Sequence, residues 1–410
     1  MQLKRKKQLR YNMRLAILSR GPRLYSTRRL VEEARKRDCD VAVLDPLQFS
    51  LMIADDGVQI LHKGERFVHD AVLPRIGHSI TRHGVALIRQ FEQLGIYTSN
   101  SSSGIIQSRD KLRASQILAK NKINIPRTAY VRDLRDVEKA IDEVGGLPVV
   151  IKVTQGTQGD GVFLRHTLRE SRHLVEALLL TKKAVLIQEY IAESHGKDIR
   201  VLVVGDKVVA SMRRKSRGRE FRSNYHLNGI IEKVDLPLEY EELAKRAARV
   251  LGLKVAGVDL LEGADGPLVL EVNSSPGLEG IEKASNVNVA AHIIEFMIED
   301  HVFTDVDMAQ VMRTQPGQGA LSLHLRNHPR LIGRAIGDIF PRNDKSIPVF
   351  ALSRDKKLEW NPEPYTQLRF DDVMIFYGET RALRSALKKV TYSHLPRQNE
   401  NRAQDGSTSI

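Results

Sequence analysis

Apolar and polar positions in the first hundred residues switch repeatedly between two periods. Short apolar runs at Leu15–Leu18, Asp40–Leu44, Ala71–Leu73 and Ile96–Thr98 have strand length. Between them, apolar residues recur every three or four positions over Ser26–Arg37 and Val85–Leu94, which predicts helices. Strands alternating with helices predict a small α/β layer on a parallel sheet, residues 13–104, closed by the Ser-rich stretch Ser99–Ser103.

A second unit, 105–302, opens with an amphipathic helix from Asp110 to about Lys120. Strands are predicted at Val149–Lys152, Val162–Arg165, Ala184–Gln188, 199–204, 207–213, 229–234, 255–261 and 267–272. Helices fit Arg169–Leu179, 239–251 and Asn288–Asp300. Thr314–Gly319 reads as part of a linker, 303–319. A compact block, 320–393, follows: a helix over Leu331–Ile339, a strand over Ile347–Arg354, a hairpin and strand reaching Gly378, and a helix over Thr380–Lys389. The polar end, 394–410, and the basic start, 1–12, are expected to be disordered, with Met13 an alternative start.

Composition narrows the function classes. No apolar run is long enough to span a bilayer, and Cys39, the single cysteine, excludes disulfides within the chain. A cytoplasmic location is therefore expected. The net charge of +14 suits an acidic partner, although dispersed surface Lys and Arg explain it as well. A nucleic-acid role would rest on charge alone, with no recognition motif beside it.

The chemistry concentrates in two apolar segments that each carry acid. Asp259 follows Val-Ala-Gly-Val, and Glu271 and Asn273 flank Val272 after Leu-Val-Leu. A buried carboxylate is costly unless paired or bound to metal. Glu271 and Asn273 are two apart and share a face on a strand. With Asp259 they form an oxygen-donor set suited to Mg²⁺ held jointly with phosphate. Two hairpin-edge acids and a turn Asn fit the same residues.

Upstream, a strand ends at Lys152 and the loop to the next strand carries Gly156, Gly159 and Gly161. Such glycines let backbone N–H groups approach phosphate, and the ammonium neutralises it. A plain Gly-rich hairpin is the alternative. The spacing matches neither a P-loop nor a strand-to-helix dinucleotide turn. Gln188-Glu189-Tyr190-Ile191 follows a strand edge that could pair with adenine. Asp198 and Arg200 share a face of the next strand, one suited to a ribose or a positive group and the other to phosphate.

The order Arg109-Asp-Lys111, Lys152, Gly-Thr-Gln-Gly, Gln-Glu-Tyr-Ile, Asp-Ile-Arg200, Phe-Arg222-Ser-Asn224, Gly-Val-Asp259 and Glu271-Val-Asn273-Ser-Ser-Pro-Gly277 resembles the ATP-grasp superfamily. Phe-Arg-Ser-Asn and Ser-Pro-Gly-Leu-Glu-Gly-Ile-Glu are similar to its RimK branch, ligases that add glutamate to a small-subunit ribosomal protein. The resemblance runs from Met13 to Asp300 and implies a three-subdomain ATP-grasp fold, of mixed α/β and α+β class. It implies that Lys111 and Lys152 contact ATP phosphates, Glu189, Tyr190 and Ile191 the adenine, and Asp198 the ribose. It further implies that Arg222, Ser223 and Asn224 close over the nucleotide, and that Asp259, Glu271 and Asn273 hold two Mg²⁺ or Mn²⁺ ions. Arg200 and Arg213 are the candidates for stabilising an oxyanion. The sequence departs from the family pattern at Thr154-Gln155, Asp160, Arg219-Glu220 and His226-Leu-Asn228, and the departures near 219–228 touch acceptor choice more than catalysis.

The last block resembles the TrkA-C domain of potassium-conductance regulators, which implies a small α+β fold, a small-molecule effector and a homo-oligomer. The expected activity is ATP-dependent ligation of L-glutamate to the C-terminus of a small-subunit ribosomal protein. Glutamate ligation to a small molecule or carrier protein, and nucleotide sensing in ion transport, are the alternatives.

Overall fold

A computed structural model describes residues 13–55, 57–153, 161–181, 184–216, 221, 229–301, 318–340, 349–355 and 357–392. Two compact units divide near residue 304.

The first unit begins with β1 (Arg14–Leu18), α1 (Tyr25–Lys36) and β2 (Asp40–Leu44). A meander β3 (Phe49–Ala54), β4 (Gly57–His62), β5 (Glu65–Arg66) precedes β6 (Ala71–Pro74), α2 (Thr81–Gln93) and β7 (Tyr97–Thr98). The sheet runs β2-β1-β6-β7 with every pairing parallel, as the alternating pattern predicted. Leu15, Ile17 and Leu30 fill one side, and Leu18, Ile88 and Phe91 the other. The meander was not anticipated. Met52 and Ile53 on it face solvent, so its hydrophobic pattern does not alternate with burial.

The Ser-rich stretch is more than punctuation. Ser101 accepts the Gly104 N–H and caps α3 (Ser102–Arg109), and Asp110 accepts the Arg113 N–H and caps α4 (Lys111–Lys120). Next come β8 (Thr128–Val131), α5 (Val137–Glu143), β9 (Val149–Val153), β10 (Val162–Arg165), α6 (Leu168–Leu180) and β11 (Val185–Glu189). They build an antiparallel sheet in the order β10-β9-β11-β8. Then β12 (Lys197–Val204), β13 (Lys207–Lys215), β14 (Ile230–Lys233), α7 (Leu238–Val250), β15 (Val255–Gly263) and β16 (Gly266–Asn273) form a five-stranded antiparallel sheet, β14-β13-β12-β15-β16. One face of that sheet packs Ile199, Val201, Val258 and Leu260 against α7 and α4. The other packs Leu202, Ala210, Met212 and Val255 against α8 (Glu279–Ser285), α9 (Val289–Asp300) and the first sheet.

Buried Asn100 locks the parallel sheet to this second one. Its amide donates to the carbonyls of Val255 and Ser274, and its oxygen accepts the N–H groups of Lys254 and Val255. Four bonds from one side chain leave none of its polar atoms unpaired.

The second unit holds β17 (Gln318–His324), β18 (Val349–Arg354), β19 (Lys357–Trp360) and β20 (Val373–Glu379), antiparallel in the order β17-β20-β18-β19. Leu323, Leu352, Met374, Phe376 and Leu383, from the helix Thr380–Tyr392, form its core. The helix expected over Leu331–Ile339 reduces to a turn and the four residues Ile336–Ile339. Gly333 takes φ +81, which helical geometry cannot contain. Among the described residues no helix is long and apolar enough to cross a membrane.

Candidate active site

Register decides which side chains meet. In β12, β13, β15 and β16, Asp198 pairs with Arg214, Arg200 with both Met212 and Asp259, Asp259 with Glu271, and Gly257 with Asn273. Directly paired residues share a face. Asp198, Arg200, Arg214, Asp259, Glu271 and Asn273 therefore occupy one face of the sheet.

Two irregularities build this face. Between Leu202 and Val203 the pairing shifts by one, leaving Val209 extra on β13. Between Asp259 and Leu260 it shifts again, leaving Leu270 extra on β16. A one-residue slip exchanges the two faces of everything beyond it. Without the second bulge Glu271 would lie opposite Val258, on the α7 side. Without the first, Arg213 would lie opposite Asp198.

The second point corrects a sequence-based expectation. Arg213 does not join Arg200. It pairs with Ile199 on the α7 face, where it reaches Glu262 at 2.8 Å and Glu232 at 3.6 Å. Arg214 takes the expected place. It donates to both oxygens of Asp198 and lies 2.8 Å from an Asp259 oxygen. Arg200 also forks onto Asp259, through Nε and Nη2, at 2.6 Å each. Asp198, Asp259 and Arg214 are all buried. Asp198 is thus paired with Arg214, the positive group that was one of its two expected partners.

The electrostatics follow from this pairing. Against the cost of burial, Arg200 and Arg214 hold the Asp259 carboxyl down at about 2. Burial and the nearby Asp259 push the Glu271 carboxyl up. Solvent reaches Glu271, but protein crowds it, and its hydrogen bond comes from a neutral group, the Asn273 amide at 3.1 Å. Two carboxyls on directly paired strand positions, one without a cation within ion-pair distance among the described residues, form a site that a divalent ion relieves. The oxygen-only donor set of Asp259, Glu271 and Asn273 fits Mg²⁺ or Mn²⁺.

Lys152 on β9 donates to Gln188 Oε1 at 2.6 Å, and Gln188 donates on to Thr128 Oγ1 at 2.8 Å. Burial lowers the Lys152 ammonium to about 8; Glu271 opposes this and Lys111 adds to it. Burial likewise lowers Lys111, at the first turn of α4, against the pull of Glu271. Both lysines from different elements therefore feel the same carboxylate. Gly161, at φ +74, accepts the Val153 N–H and closes the β9–β10 hairpin. Glu189 ends β11 with its carboxylate on the Arg127 N–H, Tyr190 bonds His195, and Ile191 is buried. Gly156, Gly159, Arg222, Ser223 and Asn224 lie outside the described residues.

A lysine near pH 8 gives a binding test. Phosphate beside Lys152 raises its pKa, so binding takes up a proton where the free protein has lost it. Affinity for a nonhydrolysable ATP analogue is expected to be full below pH 8 and to fall as pH rises through it. Calorimetry in two buffers of different ionisation enthalpy should show proton uptake at about pH 8.5 and little at about pH 7. Uptake that does not change between them would remove Lys152 from the phosphate site.

Comparison with known proteins decides the family. A probable alpha-L-glutamate ligase of Rhodopirellula baltica is 45% identical over 388 residues, 94% of this chain and 95% of that protein. The RimK PreATP-grasp domain matches residues 13–105, and the RimK-like ATP-grasp domain matches residues 108–297. The chain belongs to the RimK-like ATP-grasp family. It is an ATP-grasp ligase. A probable alpha-L-glutamate ligase of Aeromonas salmonicida is 50% identical over 286 residues, 70% of this chain but 96% of that protein. Such a relative has the length of the two matched domains and nothing corresponding to the rest. Among solved structures, the ATP-grasp ligase PsnB complexed with a minimal precursor superposes with TM-score 0.57 at 22% identity, covering 70% of this chain and 99% of its own. A RimK domain ATP-grasp protein of Sphaerobacter thermophilus gives 0.54 at 23%, covering 70% and 99%. These two confirm the ATP-grasp fold.

Sequence reasoning missed Arg214. The only available signal was the Arg213-Arg214 doublet, and choosing between its members needs the bulge.

Proposed function

We propose that this ligase joins L-glutamate to the C-terminal carboxylate of a small-subunit ribosomal protein. The observation that carries the reading is the single face of Asp259, Glu271 and Asn273 with Lys111 and Lys152 beside it, in a chain 45% identical to a probable alpha-L-glutamate ligase. The net charge of +14 suits an acceptor that grows more acidic with each addition.

A carboxylate is a poor electrophile, so it first accepts the γ-phosphoryl group of ATP, forming an acyl phosphate and ADP. The glutamate amine then attacks the acyl carbon, phosphate leaves, and an amide remains. A PsnB structure containing Mg and ADP supports a divalent ion here. Bound at Asp259, Glu271 and Asn273, such ions would neutralise phosphate charge and polarise the transferred group. Lys111 and Lys152 orient the phosphates with fixed charge. Arg200, whose Nε and Nη2 are committed to Asp259, offers its remaining N–H groups to an oxyanion. Glu189, Tyr190 and Ile191 border the adenine.

The second unit contains a cavity of about 600 Å³ lined by Ile332, Gly333, Arg354, Tyr365, Arg369 and Phe370, among others. It is our candidate for the effector site of a TrkA-C-like regulatory domain, in a cytoplasmic homo-oligomer. Incubation of the protein with ATP, glutamate and purified ribosomal subunits tests the main reading. Mass spectrometry should show one small-subunit protein gaining whole glutamate residues. Unmodified ribosomal proteins beside a glutamylated small molecule would support ligation to a small molecule instead.

A further inference from the structure

The parallel sheet has a switch point that the ATP site does not use. In the order β2-β1-β6-β7 the chain leaves β1 toward β2 and returns on its other side at β6. Ligands of open parallel sheets bind in the crevice beyond the carboxyl ends of strands at such a point. Arg75 stands there. It directly follows β6, and its N–H bonds to the Leu18 carbonyl at the end of β1.

Among the described residues the charge of Arg75 has no counter-ion. Its Nη2 donates to the Pro276 carbonyl at 2.7 Å, and no carboxylate lies within ion-pair distance of it among the described residues. Arg14, Arg29, Arg37, Arg214 and Arg354 all have acidic partners. Its charged neighbour is another cation, Arg109. Arg109 is committed to the loop, donating to the carbonyls of Ile76 and Gly77 and to Thr81 Oγ1. It fixes the segment that carries Arg75 and spends its own donors doing so. Arg75 has five donors and gives one to protein in the described bonds. Burial lowers both guanidiniums to about 10.

The bond to Pro276 brings the Arg75 guanidinium to a loop beside the chemistry. Pro276 belongs to the loop leaving Asn273. A Cβ on Gly257 would meet the Pro276 Cβ at 2.8 Å and Arg200 Nε at 3.7 Å, so the loop touches the Arg200–Asp259 face. A planar fork of N–H donors matches a carboxylate.

We propose that Arg75, at the β1/β6 crevice, binds a carboxylate of the incoming acidic amino acid and presents its amine toward the Asp259–Glu271 face. This deepens the glutamate-ligase reading and rests on it. ATP phosphates have Lys111 and Lys152, whereas the free amino acid brings two carboxylates, and Arg75 is the guanidinium of this loop that has no acidic partner among the described residues.

Isothermal titration of full-length protein, saturated with AMP-PNP and Mg²⁺, tests the assignment. L-glutamate is titrated into wild type, Arg75→Gln and Arg75→Lys, and AMP-PNP affinity reports that each variant is folded. Arg75→Gln is expected to weaken glutamate about 10- to 100-fold, with AMP-PNP affinity unchanged. Arg75→Lys should recover only part of it, since it keeps charge without the fork. Glutamine and isoglutamine locate the contact: the amide lacking the carboxylate that Arg75 holds binds wild type and Arg75→Gln equally. Either outcome supports the proposal. Unchanged glutamate affinity in Arg75→Gln, equal losses for all three ligands, or a loss confined to AMP-PNP would overturn it. A wild type that binds AMP-PNP but not glutamate would overturn the glutamate reading itself.

Discussion

Replacing Glu271 by Gln is expected to reduce ADP formation by about 10³-fold while leaving stability almost unchanged. The side chain keeps its size, and its hydrogen bond comes from the neutral Asn273 amide, so no cation is stranded. What disappears is the negative charge that completes the ion-binding face with Asp259. Asp259→Ala should look different. It removes a carboxylate held by both Arg200 and Arg214 at 2.6–2.8 Å, and leaves two guanidiniums facing each other in a buried place. Breaking a buried pair from one side costs about 3–5 kcal/mol. Asp259→Ala should therefore lose both turnover and stability, and Glu271→Gln turnover alone. Urea melts beside a coupled ADP assay separate the two. A Glu271→Gln protein with full turnover would sink the metal-site assignment; one as unstable as Asp259→Ala would sink the claim that Glu271 is unpaired.

The contrast between these acids shows where sequence reading stops. Each of them was visible as acid in an apolar strand. Period-two spacing placed Glu271 with Asn273, and Asp198 with Arg200, and the register agrees. The parallel order of the first sheet also followed from alternating strand and helix patterns. The facing of one strand relative to its neighbour did not follow. Each of two hairpins contains one extra residue, Val209 or Leu270, and both are ordinary apolar strand residues with nothing to mark them. Bulges are set by packing on both faces at once, which one strand's sequence does not encode. Arg213 was therefore placed on the face that Arg214 occupies. The meander β3–β5 escaped for a related reason: its side chains are sorted by a partner sheet and solvent rather than by strict alternation. The second unit was legible at its strands and last helix. The helix over Leu331–Ile339 was not, because the positive φ of Gly333 interrupts a mostly apolar run whose spacing alone fits a helix.

Arg214 yields the other large effect, and its sign with pH is the sharper test. Arg214→Met should destabilise the protein by about 3–5 kcal/mol near neutral pH. Asp259 would keep Arg200, but Asp198 would lose both of its described hydrogen bonds to a side-chain cation and remain buried. Burial and the charge of Asp259 already push the Asp198 carboxyl up, and Arg214 is the main force opposing them. Without it, the folded-state pKa rises well above the unfolded value. A group raised in this way contributes stability below its unfolded pKa and loses it as pH rises through the folded one. The variant should thus be closer to wild type at about pH 5 than at about pH 8. Adding Asp198→Asn removes the stranded charge, so the double variant should be more stable than Arg214→Met alone at pH 8, a non-additivity that a double-mutant cycle measures. Equal destabilisation at both pH values, with additive double-variant energies, would mean that Arg214 acts by packing and that Asp198 carries no buried charge for it to hold.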